Sequence, residues 1–320
     1  MMRRTRGKGT SAADAIVVSD LHLTDTPPVS RNDDYLVAQE KKLQWLCELS
    51  KDNDGCPVLC AGDVFHHWKA SPWLCQMAWH LLPRPFVTIP GQHDLPMHSL
   101  EDYEKSALSL IDSIDDDVYV LKRTGFFTHA YRVVGFPFGT LDDLETIKLV
   151  PKEEEESGQR RILMLHELTW SKKRPSWDKG SWTDLELLER YGAYYDLIVT
   201  GDNHAGFVTR QGDSLLVNPG SMMRMTADQK DYQPACYLYY AISNEVVPAY
   251  FPIQPNVHNT EHLDKDRERD ARIAAYIERM EQDWKVGFSF RANLEAFFTE
   301  NKVTEQVRKI IWQHLETGNS

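Results

Sequence analysis

The feature that most constrains the fold is a pattern repeated along the chain, in which a short apolar run stops abruptly in residues able to bind metal or phosphate. AIVVSDLH (Ala15–His22) does so first, then PVLCAGD (Pro57–Asp63) and FVTIPGQHD (Phe86–Asp94). RILMLHE (Arg161–Glu167), DLIVTGDNH (Asp196–His204) and SLLVNPGS (Ser214–Ser221) follow. Apolar runs of about four to eight residues bounded by Gly or Pro read as strands buried on both faces. Helical patterns lie between several of them. Tyr35–Ser50 is one, and another opens at Ser71-Pro72, an N-cap followed by proline at the first helical position. A third starts at Ser99. TDLE (Thr183–Glu186) is a capping box, and Gly192 suits the far end of its helix. Strands alternating with helices make an α/β fold, whose ligands bind beyond the carboxyl ends of the strands. Five of the six strand ends carry Asp or His, so the polar motifs are expected to converge on one site.

Other stretches break the pattern. Val118–Leu121 and Phe126–Phe138 read as a β-hairpin around KRTG (Lys122–Gly125). KEEEESGQ (Lys152–Gln159) reads as a solvated acidic loop. After Pro255 the chain turns charged and helical: Lys265–Lys285 carries Ile273, Ile277, Met280 and Trp284 on one stripe, read as core packing. Helices over Phe290–Glu300 and Val303–Glu316 are expected next. The resulting division is a flexible basic tail over 1–14, an α/β domain over 15–255 and a helical C-terminal extension over 256–320. The basic start lacks the apolar stretch of a secretion signal, and no run approaches the roughly 20 apolar residues of a membrane helix. The five cysteines form no CxxC pair, which fits reduced core thiols and a cytoplasmic protein. A net charge of −12 argues against a broad basic surface for nucleic acid, though not against a local groove.

The candidates for chemistry, in chain order, are Asp20, His22, Asp63, Gln92, His93, Asp94, His166, Asp202 and His204. Carboxylates and imidazoles without thiolate suit manganese, iron or zinc. They are too many for one ion. Two ions about 3.5–4 Å apart can clamp both the attacking and the leaving oxygen of a displacement at phosphorus. Such a pair needs a bridging carboxylate, and Asp63 is the obvious one. Isolated histidines (His66, His67, His80, His98 and His129) read as structural, with His66 and His98 the first exceptions because they adjoin the motifs.

The series DLH, GD, GQHD, LHE and GDNH, each closing an apolar run, resembles the calcineurin-like metallophosphoesterase superfamily over roughly Ala15–Phe251. The resemblance implies a four-layer αββα sandwich with two divalent metal ions. Asp20, His22 and His204 would bind the first ion, His166, Gln92 and Asp202 the second, and Asp63 would bridge. A hydroxide between the metals would attack phosphorus. His93 would serve the transition state or the leaving oxygen as an acid, with Asp94 fixing its tautomer. Two positions depart from the family pattern: Gln92 stands where the family has Asn, and Asp202 where it has His. The second departure raises the carboxylates to three (Asp20, Asp63, Asp202), and this harder ligation favours manganese or magnesium over zinc.

Within the superfamily, SDLHLTD, GDVFHHW, PGQHDLP and NPGSMMR are most similar to SbcD-like DNA repair exonucleases and their phage relatives. That resemblance implies a manganese-dependent DNA nuclease acting as a homodimer, with an SMC-like ATPase partner docking on the C-terminal helices. Arg224 would contact phosphate. The loop TWSKKRPSWDKGSW interleaves Trp170 and Trp177 with Lys172, Lys173 and Arg174, a mixture suited to stacking on bases and holding a backbone. A nucleotide or phosphoprotein phosphatase or phosphodiesterase is the enzyme alternative, and a non-catalytic interaction scaffold on the same fold the other.

Overall fold

Each of the six apolar runs forms a strand, and its alternation explains why it reads as continuously apolar. The structure is a computed structural model describing residues 11–146, 149–154, 158–259 and 290–317. The first sheet runs β14-β13-β1-β2-β3-β4, with β1 (Ala15–Val18), β2 (Val58–Cys60), β3 (Phe86–Thr88) and β4 (Val118–Val120) parallel. β13 (Ala235–Tyr240) and β14 (Glu245–Tyr250) extend it antiparallel. The second runs β11-β12-β10-β7-β6-β5, with β6 (Tyr131–Phe136), β7 (Arg160–Leu165), β10 (Leu197–Thr200) and β12 (Ser214–Asn218) parallel. Its edges are β5 (Gly125–Phe127) and β11 (Phe207–Gln211). A short parallel pair, β8 (Thr169–Trp170) and β9 (Trp182–Thr183), closes the base of the Trp-rich loop.

Successive side chains on a strand face opposite ways. Ala15 and Val17 therefore meet Ile162, Met164, Leu197 and Val199 in a core between the sheets. Ile16 and Val18 pack outward, in one cluster with Leu43 and Leu46 of α1 (Tyr35–Asp52), Leu74 and Ala78 of α2 (Pro72–Leu81), and Leu108 and Ile111 of α3 (Ala107–Ile114). On the far side Leu163, Leu165 and Ile198 pack against Leu144 of α4 (Leu141–Glu145) and Leu187 and Leu188 of α5 (Asp184–Tyr191). Two sheets and two helical layers give the αββα sandwich.

The caps behave as their chemistry requires. Ser71 Oγ accepts from the Leu74 amide, with Pro72 at the first helical position. Thr183 and Glu186 close a reciprocal capping box. Gly192 ends that helix with helical backbone, φ −63°, rather than a left-handed turn. After Ser99 the chain makes a 3-10 turn (Leu100–Lys105) before Ser106 caps α3. The hairpin expected around KRTG is not formed. β4 lies on the edge of one sheet and β5 on the edge of the other, so Lys122–Gly125 passes between sheets, and β5 turns through Thr128–Ala130 to pair with β6.

Ala13 and Asp14, read as tail, are already held. The Asp14 amide donates to the Tyr239 carbonyl at 2.8 Å, and Asp14 Oδ2 accepts from the Ala241 amide at 2.8 Å. The five cysteines are free, four of them buried. The chain divides into one unit through Asn259 and another from Thr260. In the second, α6 (Phe290–Glu300) and α7 (Glu305–Thr317) pack through Phe298 and Trp312, 6.2 Å apart, and Arg308 donates to the Phe298 carbonyl. Residues 1–10 and the stripe Ile273, Ile277, Met280 and Trp284 lie outside the described residues. No helix among the described residues is long and apolar enough to cross a membrane.

Candidate metal centre

Asp20 and His22 follow β1, Asp63 follows β2, and Gln92–Asp94 form a 3-10 turn after β3. His166 follows β7, while Asp202 and His204 follow β10. The carboxyl ends of five parallel strands thus place the nine candidates at one mouth of the sandwich. The backbone there is unusual. Asp20, His22, Asp63 and Asp202 have φ of 51°, 45°, 51° and 67°. Asp and His tolerate this left-handed region better than most residues, yet it still costs about 1 kcal/mol or more each. Gly62 (φ 96°) and Gly91 are needed for close approach: a β-carbon at Gly62 would enter the His166 ring, and one at Gly91 the Asp63 carboxylate.

Three donor groups are near enough to share a cation: Asp20–His22–His204, Asp20–Asp63–His166 and His22–His66–His93. His22 Nε2 stands 3.0 Å from His204 Nε2, and 3.7 Å from both Asp20 Oδ1 and Asp63 Oδ2. Asp63 Oδ2 is also 3.4 Å from His166 Nε2, so it lies between the two histidines. His166 Nδ1 faces the Ala61 carbonyl at 2.6 Å, which fixes Nδ1 as the donor and leaves the Nε2 lone pair toward Asp63. Asp63 Oδ2, His166 Nε2 and Gln92 Oε1 are buried without a hydrogen-bond partner. Buried polar atoms are rarely left unpaired. These three are oxygen and nitrogen donors of the kind that hold divalent ions, so the residues fit metal.

Asp202 joins none of the three groups. Its carboxylate accepts from the Gln92 side-chain amide, so the two residues that depart from the family pattern bond to each other. The Asp202 amide in turn donates to Asp20 Oδ1 at 3.2 Å.

Charge follows burial and neighbours. Burial, reinforced by Asp63, pushes Asp20 up to about 7 against the pull of His166. Burial also opposes ionisation of Asp63, but His166, His22 and His93 overcome it and hold that carboxyl below the usual range. Burial presses His166 down, yet Asp63 and Asp20 raise it to about 10. Burial lowers both His22 and His204, which favours neutral rings with a lone pair free for a cation.

Three expected roles need correction. Asp94 does not touch the His93 ring. Its Oδ1 accepts from the Phe65 amide at 2.9 Å, and its Oδ2 from Val64 at 3.2 Å and Gly91 at 3.1 Å, so it pins the loop carrying Asp63. The His93 ring is set instead by the His66 carbonyl, 3.0 Å from Nδ1, and its backbone amide donates to Asp63 Oδ1 at 2.9 Å. Arg224 is buried and donates to the Lys230 and Gln254 carbonyls, each at 2.7 Å, because the chain after β12 folds inward. In the Trp-rich loop, Trp170 donates to Asp178 and Arg174 to Ser181 and Glu186, so both hold the loop's own shape. Trp177 remains 73% exposed, beside exposed Lys172 and Lys173.

Two contributors were missed, and His66, the first of the exceptional histidines, joins them. Ser19 Oγ donates to Asp20 Oδ2 at 2.5 Å. Asn203, inside GDNH, donates to the Thr169 carbonyl at 2.7 Å and ties the Trp-rich loop to the metal loop. His66 stacks on His93 with ring centres 5.3 Å apart, and its place in GDVFHHW was the available signal. His98, the other exception, meets the Gln92 carbonyl at 3.0 Å.

A four-layer sandwich with Asp and His at its strand ends suits metal-dependent hydrolysis of phosphoesters. Residues 15–206 match the calcineurin-like phosphoesterase family, and the chain belongs to it. No curated protein matches the chain. Among solved structures, an archaeal phosphodiesterase is 13% identical with a TM-score of 0.41, over 74% of this chain and 99% of that one. A Staphylococcus aureus structure described as a 5′-nucleotidase in complex with alpha-ketoglutarate is 14% identical with a TM-score of 0.45, over 80% of this chain and 58% of that one. Scores this low bear on neither substrate nor partner.

Proposed function

We propose that the protein is a two-metal phosphoesterase that cleaves DNA phosphodiesters with manganese. The observation that carries phosphoester hydrolysis is the trio of buried, unpartnered atoms, Asp63 Oδ2, His166 Nε2 and Gln92 Oε1, at the mouths of three strands. Asp20, His22 and His204 would hold one ion, and His166, Gln92 and Asp202 the other, with Asp63 between. Bound divalent ions supply a water that ionises near neutral pH and neutralise charge on the phosphoryl oxygens. His93 stands outside that ligand set. With Nδ1 facing the His66 carbonyl, Nε2 is the ring nitrogen left to serve the leaving oxygen.

A polymeric substrate is supported by the loop over Thr169–Trp182. Exposed Trp177, Lys172 and Lys173 offer a stacking face and cations, and Asn203 fastens the loop to the segment bearing Asp202 and His204. A protein partner would dock on the helical extension, where Phe297, Val307 and Ile310 are exposed.

The test is cleavage of end-labelled linear DNA, single- and double-stranded, with manganese. An Asp63→Asn control and a small chromogenic phosphodiester run in parallel. DNA degradation lost in the variant supports the nuclease. Hydrolysis of the small ester alone shifts the substrate to nucleotides. A folded protein inert toward both would sink the catalytic reading and bring the scaffold forward.

A further inference from the structure

Away from the metal mouth, four cationic side chains line one small cavity. Arg31, Lys41, Lys42 and Arg224 surround it with Ala38, Pro252 and Ile253, and the one carboxylate among the lining residues is Asp33. The volume is about 110 Å³. A liquid water occupies about 30 Å³, so this is room for a few waters or one small ion, not for a nucleoside. Three segments far apart in sequence meet here: the loop before α1 with α1 itself, the turn after β12, and the chain after β14.

The charge is buried. Lys42 and Arg224 are each 5% exposed, and the Arg31 side chain is likewise 5% exposed. Asp33 is already taken by Arg31, through Nε at 2.8 Å and the second guanidinium nitrogen at 2.6 Å. Arg31 also donates to the Arg224 carbonyl at 2.7 Å. Lys42 Nζ makes one bond, to the Met222 carbonyl at 2.5 Å, although an ammonium has three donors. The lining thus supplies one carboxylate against three buried cations, with Asp231 acting on Arg224 from outside it, in a chain whose net charge is −12. Buried charge without compensation is costly, and here burial with Arg31 and Arg224 presses Lys42 down to about 7. Burial, with Arg224 and Arg31, also lowers His258, and neither of its ring nitrogens has a partner.

We propose that this cavity binds a small oxyanion of the phosphate class, either free phosphate or the terminal phosphate of a nucleotide. The anion would take the spare Lys42 donors and the Lys41 ammonium at the rim, while Arg31 and Arg224, whose donors are engaged, add positive charge from the wall. The site is distinct from the metal centre but joined to it. Met222 accepts from Lys42 and donates its amide to the Asp20 carbonyl at 3.1 Å. Occupancy would therefore fix the turn on which Asp20 rests. No particular substrate at the metal centre is required for this.

The experiment is calorimetric titration of chelator-treated, full-length protein with inorganic phosphate, repeated with sulfate and with AMP. Four proteins are compared: wild type, Lys42→Met, Lys41→Gln and Asp63→Asn. Lys42→Met keeps the buried side chain's length, and Lys41→Gln lies on an exposed position, so at least one folded variant tests the pocket. The expected result is one phosphate bound by wild type and by Asp63→Asn. Affinity should fall about tenfold or more in Lys42→Met and measurably in Lys41→Gln. Phosphate and sulfate binding alike would identify the free ion as ligand, and AMP alone the nucleotide's terminal phosphate. No binding of any of the three at millimolar concentration overturns the proposal. So does binding that Asp63→Asn abolishes and the lysine variants leave intact, because the ion would then sit at the metal mouth.

Discussion

Replacing Asp94 should damage the fold of the centre rather than the protonation of His93. Its carboxylate accepts three backbone N–H bonds, from Phe65 at 2.9 Å, Gly91 at 3.1 Å and Val64 at 3.2 Å. Asp94 is fully buried, so water cannot replace it for those donors. Burial and Asp63 raise its carboxyl to about 7, so the acceptor is only partly charged near neutrality, but each buried N–H left without it costs about 1–3 kcal/mol. Asp94→Ala should therefore lose about 4 kcal/mol, a large part of the roughly 5–15 kcal/mol that holds a typical domain. For a unit of this size that is a fall in Tm of roughly 8–16 °C. Asp94→Asn can keep its oxygen toward Val64 and Gly91 but then sets an N–H₂ against the Phe65 amide. Its loss should be about half as large. Thermal unfolding with and without manganese reads the first effect. The second assay is the pH–rate profile of Asp94→Asn at saturating metal, whose limbs should stay where wild type has them. A variant with wild-type Tm and a displaced limb would refute the pinning role and return Asp94 to that of tautomer-setter.

Three further outcomes are expected. Asp202→His should move metal preference from manganese toward zinc, read as the ratio of rates with each ion. Combined with Gln92→Asn, it should depart from additivity in stability by about 0.5–3 kcal/mol, since the two side chains bond directly. Trp177→Ala, at an exposed position, should leave stability within about 0.5 kcal/mol, raise KM for DNA and spare a small ester; an unchanged KM would remove the stacking role. Lys42 should tie stability to alkaline pH. Its folded pKa of about 7 lies below the ordinary 10.5, so between those values the unfolded chain binds more protons and stability rises with pH. Denaturant unfolding in buffer free of oxyanions should show that slope in wild type and its loss in Lys42→Met.

What could be read beforehand was set by local chemistry. Ser71 before Pro72, and Thr183 three residues before Glu186, announce helix starts because the groups they satisfy lie within one turn. Strand ends were legible because a buried apolar run that stops at Gly-Asp has reached the rim of its sheet, where a carboxylate can meet water or a cation. What failed depends on the third dimension. Nothing within Val118–Phe127 says that β4 and β5 belong to different sheets. The adjacency of His93 and Asp94 in sequence suggests a pair, but the tight turn sends one ring toward His66 and the other side chain under Val64 and Phe65. Arg224 looks like a free cation until the chain after β14 returns to cover it with the Gln254 carbonyl. The contact between Gln92 and Asp202 spans 110 residues and has no local signature.

The left-handed turns at Asp20, His22, Asp63 and Asp202 bear on how such a chain ages. Each position would be more comfortable as Gly, or as Asn without the buried charge, and none accepts a β-branched residue. Mutation unopposed by selection for hydrolysis should therefore erode these sites first, and the protein should grow more heat-resistant as it falls silent.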